Sequence, residues 1–391
     1  MDSARNPFSP GAGSRPPQLA GREDIIKNAS TALVRVKDGR SAQSQILLGL
    51  RGVGKTVLLN EIDHRADKED YLTAFLEAPE DGTFIGILVP QMAQILNRLS
   101  RYEQAATLVR RGISGIRNFA AAFKLKVGIP GMLDVSVTPT PGEADSGNLE
   151  IDLTTLFLTI GQAAQKAGRP WAIIVDEVQY LKQDELAALI VALHRIAQKG
   201  LPVIMFAAGL PQMAKIAGDT KSYAERLFNF PPIGALGDAA AQEAIQQPIL
   251  KEGAEINEDA LATIIDATHG YPYFLQVWAH HAWELAEKSP ITLRDVQNAS
   301  AAARQDLDQG FFRVRLDRLT PAETDYVDAM ARLGNGPYKS TDVAKELGKR
   351  QSALGPRRDS IIKKGMIYST RHGELDFTVP LFSDFLHRRA A

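Results

Sequence analysis

The chain has 391 residues, 45% of them hydrophobic and 23% charged, with a net charge of −1 and no cysteine. That length holds about two or three domains and a large core, and the missing cysteine excludes a disulfide framework, a thiolate metal site and a catalytic thiol. A near-neutral balance gives no global attraction to nucleic acid, so any basic surface must be local.

Residues 1–20 are rich in Pro, Gly and Ser and are expected to be extended. They begin without the apolar segment of a signal peptide, and no later stretch approaches about 18 uninterrupted apolar residues. A cytoplasmic protein with no membrane partner is the expectation. From residue 21 to 236, strand-like and helix-like stretches alternate. This predicts an α/β fold with a parallel sheet sandwiched by helices.

The first strand of that region is Ser44-Gln-Ile-Leu-Leu-Gly49. It runs into Gly49-Leu-Arg51-Gly52-Val53-Gly54-Lys55-Thr56, a complete G-x-x-x-x-G-K-[ST] phosphate-binding loop. The spacing of Val57 to Asp63 then predicts a helix. Strand, Gly-rich turn and helix are the context this motif requires. Glycines let backbone N–H groups turn onto phosphates with no Cβ in the way, and the helix N-terminus adds partial positive charge. Gly49, Arg51, Gly52, Val53, Gly54, Lys55, Thr56 and Val57 are therefore the expected ATP-binding residues. Lys55 reaches the β- and γ-phosphates, and the Thr56 hydroxyl ligates Mg²⁺.

Tyr71 to Leu76 reads as a second strand. Between residues 100 and 148 an insertion is expected: a basic helix bearing Arg101, Arg110, Arg111 and Arg117, then a hairpin turning at Gly128-Ile-Pro-Gly131. A helix-like stretch, Leu153 to Gly168, precedes the apolar run Trp171-Ala-Ile-Ile-Val-Asp176-Glu177. Such a run predicts a central parallel strand whose carboxyl end faces the ligand. Asp176 would hold Mg²⁺, and Glu177 would orient or deprotonate the attacking water. An amphipathic helix (Asp184 to Lys199) and a strand (Leu201 to Ala207) complete the pattern. An ATPase is the expected activity.

Residues 237–319 are Ala- and Leu-rich and helical, forming an expected lid. His280 and His281 fall there but are adjacent, about 100° apart on a helix, and cannot chelate one ion together. Residues 320–391 begin with Thr320-Pro-Ala-Glu323, a capping box with Pro at N1. Two more helices follow, at Ser340–Gly348 and roughly 351–364, then a hairpin turning at His372-Gly373. Three helices and a hairpin predict a winged helix. Its basic residues Lys349, Arg350, Arg357, Arg358, Lys363, Lys364 and Arg371 suit duplex DNA, with phosphate contacts dominating affinity. A protein-docking role for the same domain is the rival expectation.

From Leu19 to Arg389 the sequence resembles AAA+-related ATPases of the origin-recognition-initiator kind, overlapping STAND-type signalling ATPases. Gly21-Arg22-Glu23 is similar to the box that packs near adenine in that family, which would add Gly21 and Arg22 to the nucleotide site. Ser222-Tyr-Ala-Glu-Arg226 resembles the segment bearing an arginine finger. The resemblance implies that Arg226 reaches the γ-phosphate of a neighbouring subunit and that the ATP state is a homo-oligomer. ATP would sit between core and lid. Two family features are missing. No polar sensing residue follows the strand ending at Ala207, unless Gln212 substitutes. Tyr271 or Tyr273 stands where many relatives carry a lid arginine. Both losses imply a slow, switch-like ATPase; an unidentified protein partner in a signalling scaffold is the alternative output.

Overall fold

The apolar runs pair into a single sheet. Its strands are β1 (Ser44–Gly49), β2 (Leu72–Glu77), β3 (Trp171–Asp176), β4 (Val203–Gly209) and the two-residue β5 (Phe228–Asn229) and β6 (Pro232–Ile233). The order is β2-β3-β4-β1-β5, with β6 also on β1, and every pairing is parallel. All residues of β3 and β4 are buried, the pattern of parallel strands covered on both faces. The helices of this part of the chain are α1 (Glu23–Lys37), α2 (Lys55–Lys68), α3 (Phe84–Leu99), α4 (Ala106–Ala122), α5 (Leu149–Ala167), α6 (Gln183–Gln198), α7 (Met213–Thr220) and α8 (Ala224–Leu227).

This computed structural model describes residues 1–11, 13–125 and 142–390. The hairpin expected around Gly128 to Gly131 lies outside the described residues; the basic helix expected before it is α4. Strand β4 runs to Gly209, past the expected end at Ala207, because Leu47 and Leu48 of β1 carry the register on to Ala208 and Gly209. β4 also separates β1 from β3. The phosphate loop and the acidic pair therefore leave the sheet from strands that are not neighbours.

The chain divides into two compact units. The sheet unit comprises Arg22–Gly49 and Lys55–Ile233, and the helical unit comprises Met1–Gly21, Leu50–Gly54 and Gly234–Ala391. The helical unit contains α9 (Asp238–Lys251), α10 (Glu258–Thr268), α11 (Pro272–Leu285), α12 (Leu293–Asp306), a π-helical turn (Leu307–Phe312) and α13 (Arg313–Leu316). Then come α14 (Pro321–Arg332), β7 (Tyr338–Lys339), α15 (Ser340–Glu346), α16 (Gln351–Lys363), β8 (Ile367–Arg371), β9 (Glu374–Phe377) and α17 (Phe382–Ala390). The last three strands form an antiparallel sheet, β7-β9-β8. α16 continues through Pro356. The N-terminal segment is mostly extended but packed: Phe8 is buried, Asn6 donates to Glu284 (2.7 Å) and Trp283 donates to the Asp2 carbonyl (2.9 Å). Among the described residues no helix is long and apolar enough to cross a membrane.

One buried carboxylate organises the C-terminal helices. Glu323, at N3 of α14, accepts from the Thr320 backbone N–H (2.7 Å), Ser360 Oγ (2.6 Å) and Lys364 Nζ (2.7 Å). Burial alone would raise its pKa. The Lys364, Ser360 and Thr320 hydrogen bonds outweigh that and hold the carboxyl down at about 2. A group whose folded pKa is depressed stabilises the fold above its unfolded pKa and loses that contribution as pH falls through the folded value. Glu323→Gln is therefore expected to speed hydrogen exchange in α14 and α16 at neutral pH. The gap from wild type should close as pH falls from about 4.5 toward about 2; a gap that persists unchanged in acid would refute the ionic origin.

Candidate nucleotide site

In the sheet unit the phosphate-loop lysine and threonine begin α2 directly after the loop, and both lie at the carboxyl edge of the sheet. Thr56 Oγ1 donates to Asp176 Oδ2 at 2.5 Å. The two halves of the expected Mg²⁺ site, 120 residues apart in sequence, are thus in direct contact. Asp176 Oδ1 accepts the Glu177 N–H at 2.8 Å. Lys55 and Asp176 are both buried. Burial drives the Asp176 pKa above the ordinary carboxylate range, opposed by the Thr56 hydrogen bond, raised further by the Glu177 charge, and opposed again by the Glu177 N–H and the Lys55 charge. A cation arriving here would offset that desolvation.

Glu177 adopts a left-handed backbone, φ 54° and ψ 39°. For a residue with a Cβ such a conformation costs on the order of 1 kcal/mol and tends to occur at functional sites. The turn aims its side chain at Gln179, whose Nε2 donates to Glu177 Oε2. Gln179 Oε1 in turn accepts the Leu210 N–H at 3.2 Å, just past β4. Gln212, the candidate substitute for a sensing residue, instead has its Oε1 enclosed, with no hydrogen-bond partner among the described residues. Gln179 belongs to no motif in the sequence; only its spacing two residues after Glu177 marks it. Arg22 is buried at the start of α1, and burial lowers its pKa, with the Glu23 charge opposing.

The tip of the phosphate loop belongs to the helical unit. The Tyr271 hydroxyl donates to the Arg51 carbonyl, the Tyr273 N–H donates to the Gly52 carbonyl (3.2 Å) and the Arg51 N–H donates to the Thr378 carbonyl (3.2 Å). Gly52 has φ +82°, and a Cβ there would lie 3.1 Å from the Tyr271 ring and 3.3 Å from Tyr273 Cβ. Only glycine suits that position. Gly54 also has positive φ, and Val53 is buried. Tyr273 stacks on Phe311 with ring centroids 4.9 Å apart, and the Arg315 guanidinium lies 3.7 Å from the Phe311 centroid. Burial first, and then the neighbouring Arg51 charge, lower the Arg315 pKa to about 10. Arg315 lies in no recognised motif, and nothing in the sequence alone marks it.

The remaining expected residues scatter. Gly21 lies in the helical unit, where a Cβ would meet Ala240 Cβ at 2.7 Å, whereas Arg22 lies in the sheet unit. Gly49 ends β1 and Val57 lies within α2. Arg226 lies exposed on α8; its carbonyl accepts from Gln43 (2.8 Å). Arg350, Lys363 and Arg371 are exposed. Arg358 pairs with Asp359 at 3.1 Å, and Arg357 is partly buried with Nη1 enclosed. The Lys364 ammonium is held by Glu323 and by the Arg318 carbonyl at 2.9 Å.

Residues 18–206 match the model of an AAA ATPase domain, and residues 309–386 match that of a domain of unknown function (DUF8462). The second match begins within the π-helical turn and so includes Phe311 and Arg315. Among solved structures, the Walker-type ATPase of Pyrococcus abyssi is similar over 97% of this chain and 99% of its own, with 14% identity and a TM-score of 0.61. The Aeropyrum pernix Orc1 protein in complex with DNA aligns over 99% and 96% of the two chains, at 14% identity and a TM-score of 0.49. A Thermotoga maritima RuvB variant aligns over 95% of each, at 14% and 0.47. The shared fold rests on the first of these. No curated protein matches the sequence.

The buried Asp176 generates a prediction for the ligand-free protein. Replacing it by Asn removes a poorly solvated charge while leaving groups that can satisfy Thr56 and the Glu177 N–H. Asp176→Asn should therefore leave the melting temperature of the free protein unchanged or raise it by a few degrees. A fall of several degrees in differential scanning fluorimetry would make the ionised carboxylate a structural requirement.

Proposed function

We propose, from an AAA ATPase domain at residues 18–206, that the chain is a slow ATP-driven switch whose nucleotide state controls duplex DNA binding by the C-terminal residues 320–391. ATP binding and hydrolysis in general follow from the domain; the switch and its output are our reading. The carrying observation is that the tip of the phosphate loop is hydrogen-bonded by Tyr271, Tyr273 and Thr378. The Arg51 N–H, in the loop whose amides cradle phosphate, is engaged by a carbonyl at the end of the C-terminal hairpin. A polyphosphate that reorders this loop would act on those same contacts. The ligand and residues 320–391 then bias one equilibrium, which is what coupling requires.

For hydrolysis, Lys55 would neutralise phosphate charge and Glu177 would activate water. Thr56 and Asp176 bring hard oxygen donors together, a donor set that suits Mg²⁺, and the ion would shield the phosphates when bound. Gly49, Arg51, Gly52, Val53, Gly54 and Val57 would line the loop, with Gly21 and Arg22 toward the base. Arg226, exposed on α8, is free to act in trans on a neighbouring subunit of an ATP-state homo-oligomer. Helices α14, α15 and α16 followed by the β8–β9 hairpin support a winged-helix reading, and Arg350, Arg358, Lys363 and Arg371 are its expected DNA contacts. Arg357 would contribute only after rotating out of its enclosure.

Turnover should depend on these residues in separable ways. Lys55→Ala should abolish ATP binding, and Glu177→Gln should bind ATP but stop hydrolysis. Specific activity of the wild type should rise with protein concentration, and Arg226→Ala should flatten that rise at unchanged ATP affinity. Wild-type hydrolysis by Glu177→Gln would remove Glu177 as the base, and concentration-independent turnover in both proteins would remove Arg226 from catalysis.

DNA affinity, measured by fluorescence anisotropy against salt, tests the output. ATP and ADP should give different affinities. Replacing Arg350, Arg358, Lys363 or Arg371 by Ala should reduce the slope of log K against log[salt] by about 0.9 for each phosphate that the side chain neutralises. Lys364→Ala should instead destabilise the C-terminal helices. Undetectable duplex binding at low salt with ATP and Mg²⁺ would overturn the DNA reading in favour of a protein-docking scaffold.

A further inference from the structure

The β4 end lacks a sensing side chain, and Gly209 shows why one could not be accommodated there. A Cβ on Gly209 would lie 2.7 Å from Val178 Cγ2, 3.0 Å from Met213 Cγ and 3.1 Å from Gln179 Oε1. The space beyond the strand is filled by the turn that follows Glu177, and Gln179 spans it. The amide orientation is determined by its two partners. The Leu210 N–H can only donate, so Oε1 must face it, which leaves Nε2 for the Glu177 carboxylate. Among the described residues Glu177 Oε1 has no hydrogen-bond partner, whereas Oε2 is taken by Gln179.

We propose that Gln179 is the positioning residue for the hydrolytic step. It anchors Glu177 to the end of β4 through Oε2 and leaves Oε1 to take a proton from the attacking water. It thereby supplies, from the β3 side, the link between β4 and the reacting water that no residue of β4 provides. The left-handed backbone of Glu177 suits this role, since the turn folds residue 179 back toward residue 177. The inference rests on Glu177 being the general base. It goes further by naming what orients that base and by making the orientation depend on the Leu210 amide.

Two variants of the full chain test this, read by single-turnover ATP hydrolysis and by equilibrium ATP binding. Gln179→Met keeps the side-chain length and removes both hydrogen bonds. It should lower the hydrolytic rate by about 100-fold, the scale of a misplaced catalytic group, with ATP affinity unchanged. Gln179→Glu keeps an acceptor for Leu210 but sets a carboxylate against Glu177. Loss of the donor to Oε2 should lower the single-turnover rate as in Gln179→Met while ATP affinity stays unchanged, a split between rate and binding that a merely structural role would not give. A wild-type rate in Gln179→Met or in Gln179→Glu overturns the proposal. Should Gln179→Met fail to bind ATP, Gln179→Glu decides alone. Glu177→Gln, run alongside, separates the two levels. If it is inactive while Gln179→Met is normal, only the positioning role fails; if it hydrolyses normally, the base assignment fails first.

Discussion

A buried carboxylate at the end of β3 sets the terms for the sheet unit. Asp176 is nearly without solvent and is held by one hydroxyl and one backbone N–H. Burial leaves its charge poorly compensated, and its pKa is correspondingly raised. Thr56 meets it only because β1, β4 and β3 end together at one sheet edge. The same edge turns Glu177 into a left-handed conformation and brings Gln179 to Leu210. A chain of donors and acceptors thus runs from α2 to β3 to the end of β4, and local changes at any member reach the others.

The helical unit constrains the loop in a different way. The peptide groups of Arg51 and Gly52 are engaged by Tyr271, Tyr273 and Thr378, residues far downstream in sequence. Each contact is an ordinary hydrogen bond, worth about 1 kcal/mol net. Several acting on one short loop are comparable to the few kcal/mol that allosteric coupling requires. Arg315 adds an electrostatic component. Its guanidinium is stacked on Phe311 and donates to the Phe311 carbonyl at 2.7 Å, with Arg51 close enough to depress its pKa. Two cations near one another favour an anion. Tyr271 and Tyr273 are neutral side chains, and positive charge enters the helical unit from α13.

Basic residues in the C-terminal helices illustrate why charge counts alone mislead. The seven are close in sequence yet differ in burial and in pairing. Lys364 completes the hydrogen bonding of a buried Glu323, and Arg358 is paired with its neighbour Asp359. An ion pair beside a capping box serves the helix start. Arg371 on the hairpin is exposed, with Glu374 3.9 Å away. The distinction lies in burial, which composition does not encode.

The sequence by itself determined the elements with strong local signals. The loop motif at 49–56 dictates a strand, turn and helix because its glycines and lysine have one compatible geometry. The unbroken apolar run before Asp176 dictates a doubly covered strand, and Thr320 to Glu323 dictates a helix start through its own side-chain hydrogen bonds. What only the tertiary structure decided are pairings between distant segments. These include β4 between β1 and β3, Phe8 buried with the helical unit, Tyr271 and Thr378 on the phosphate loop, and Gln179 between Glu177 and Leu210. None has a local periodicity, since each depends on which strand ends share an edge and which helices share a core. Hydrogen bonds across more than 30 residues, such as Leu210 to Gln179 or Thr56 to Asp176, exist only once long-range packing has brought their elements together.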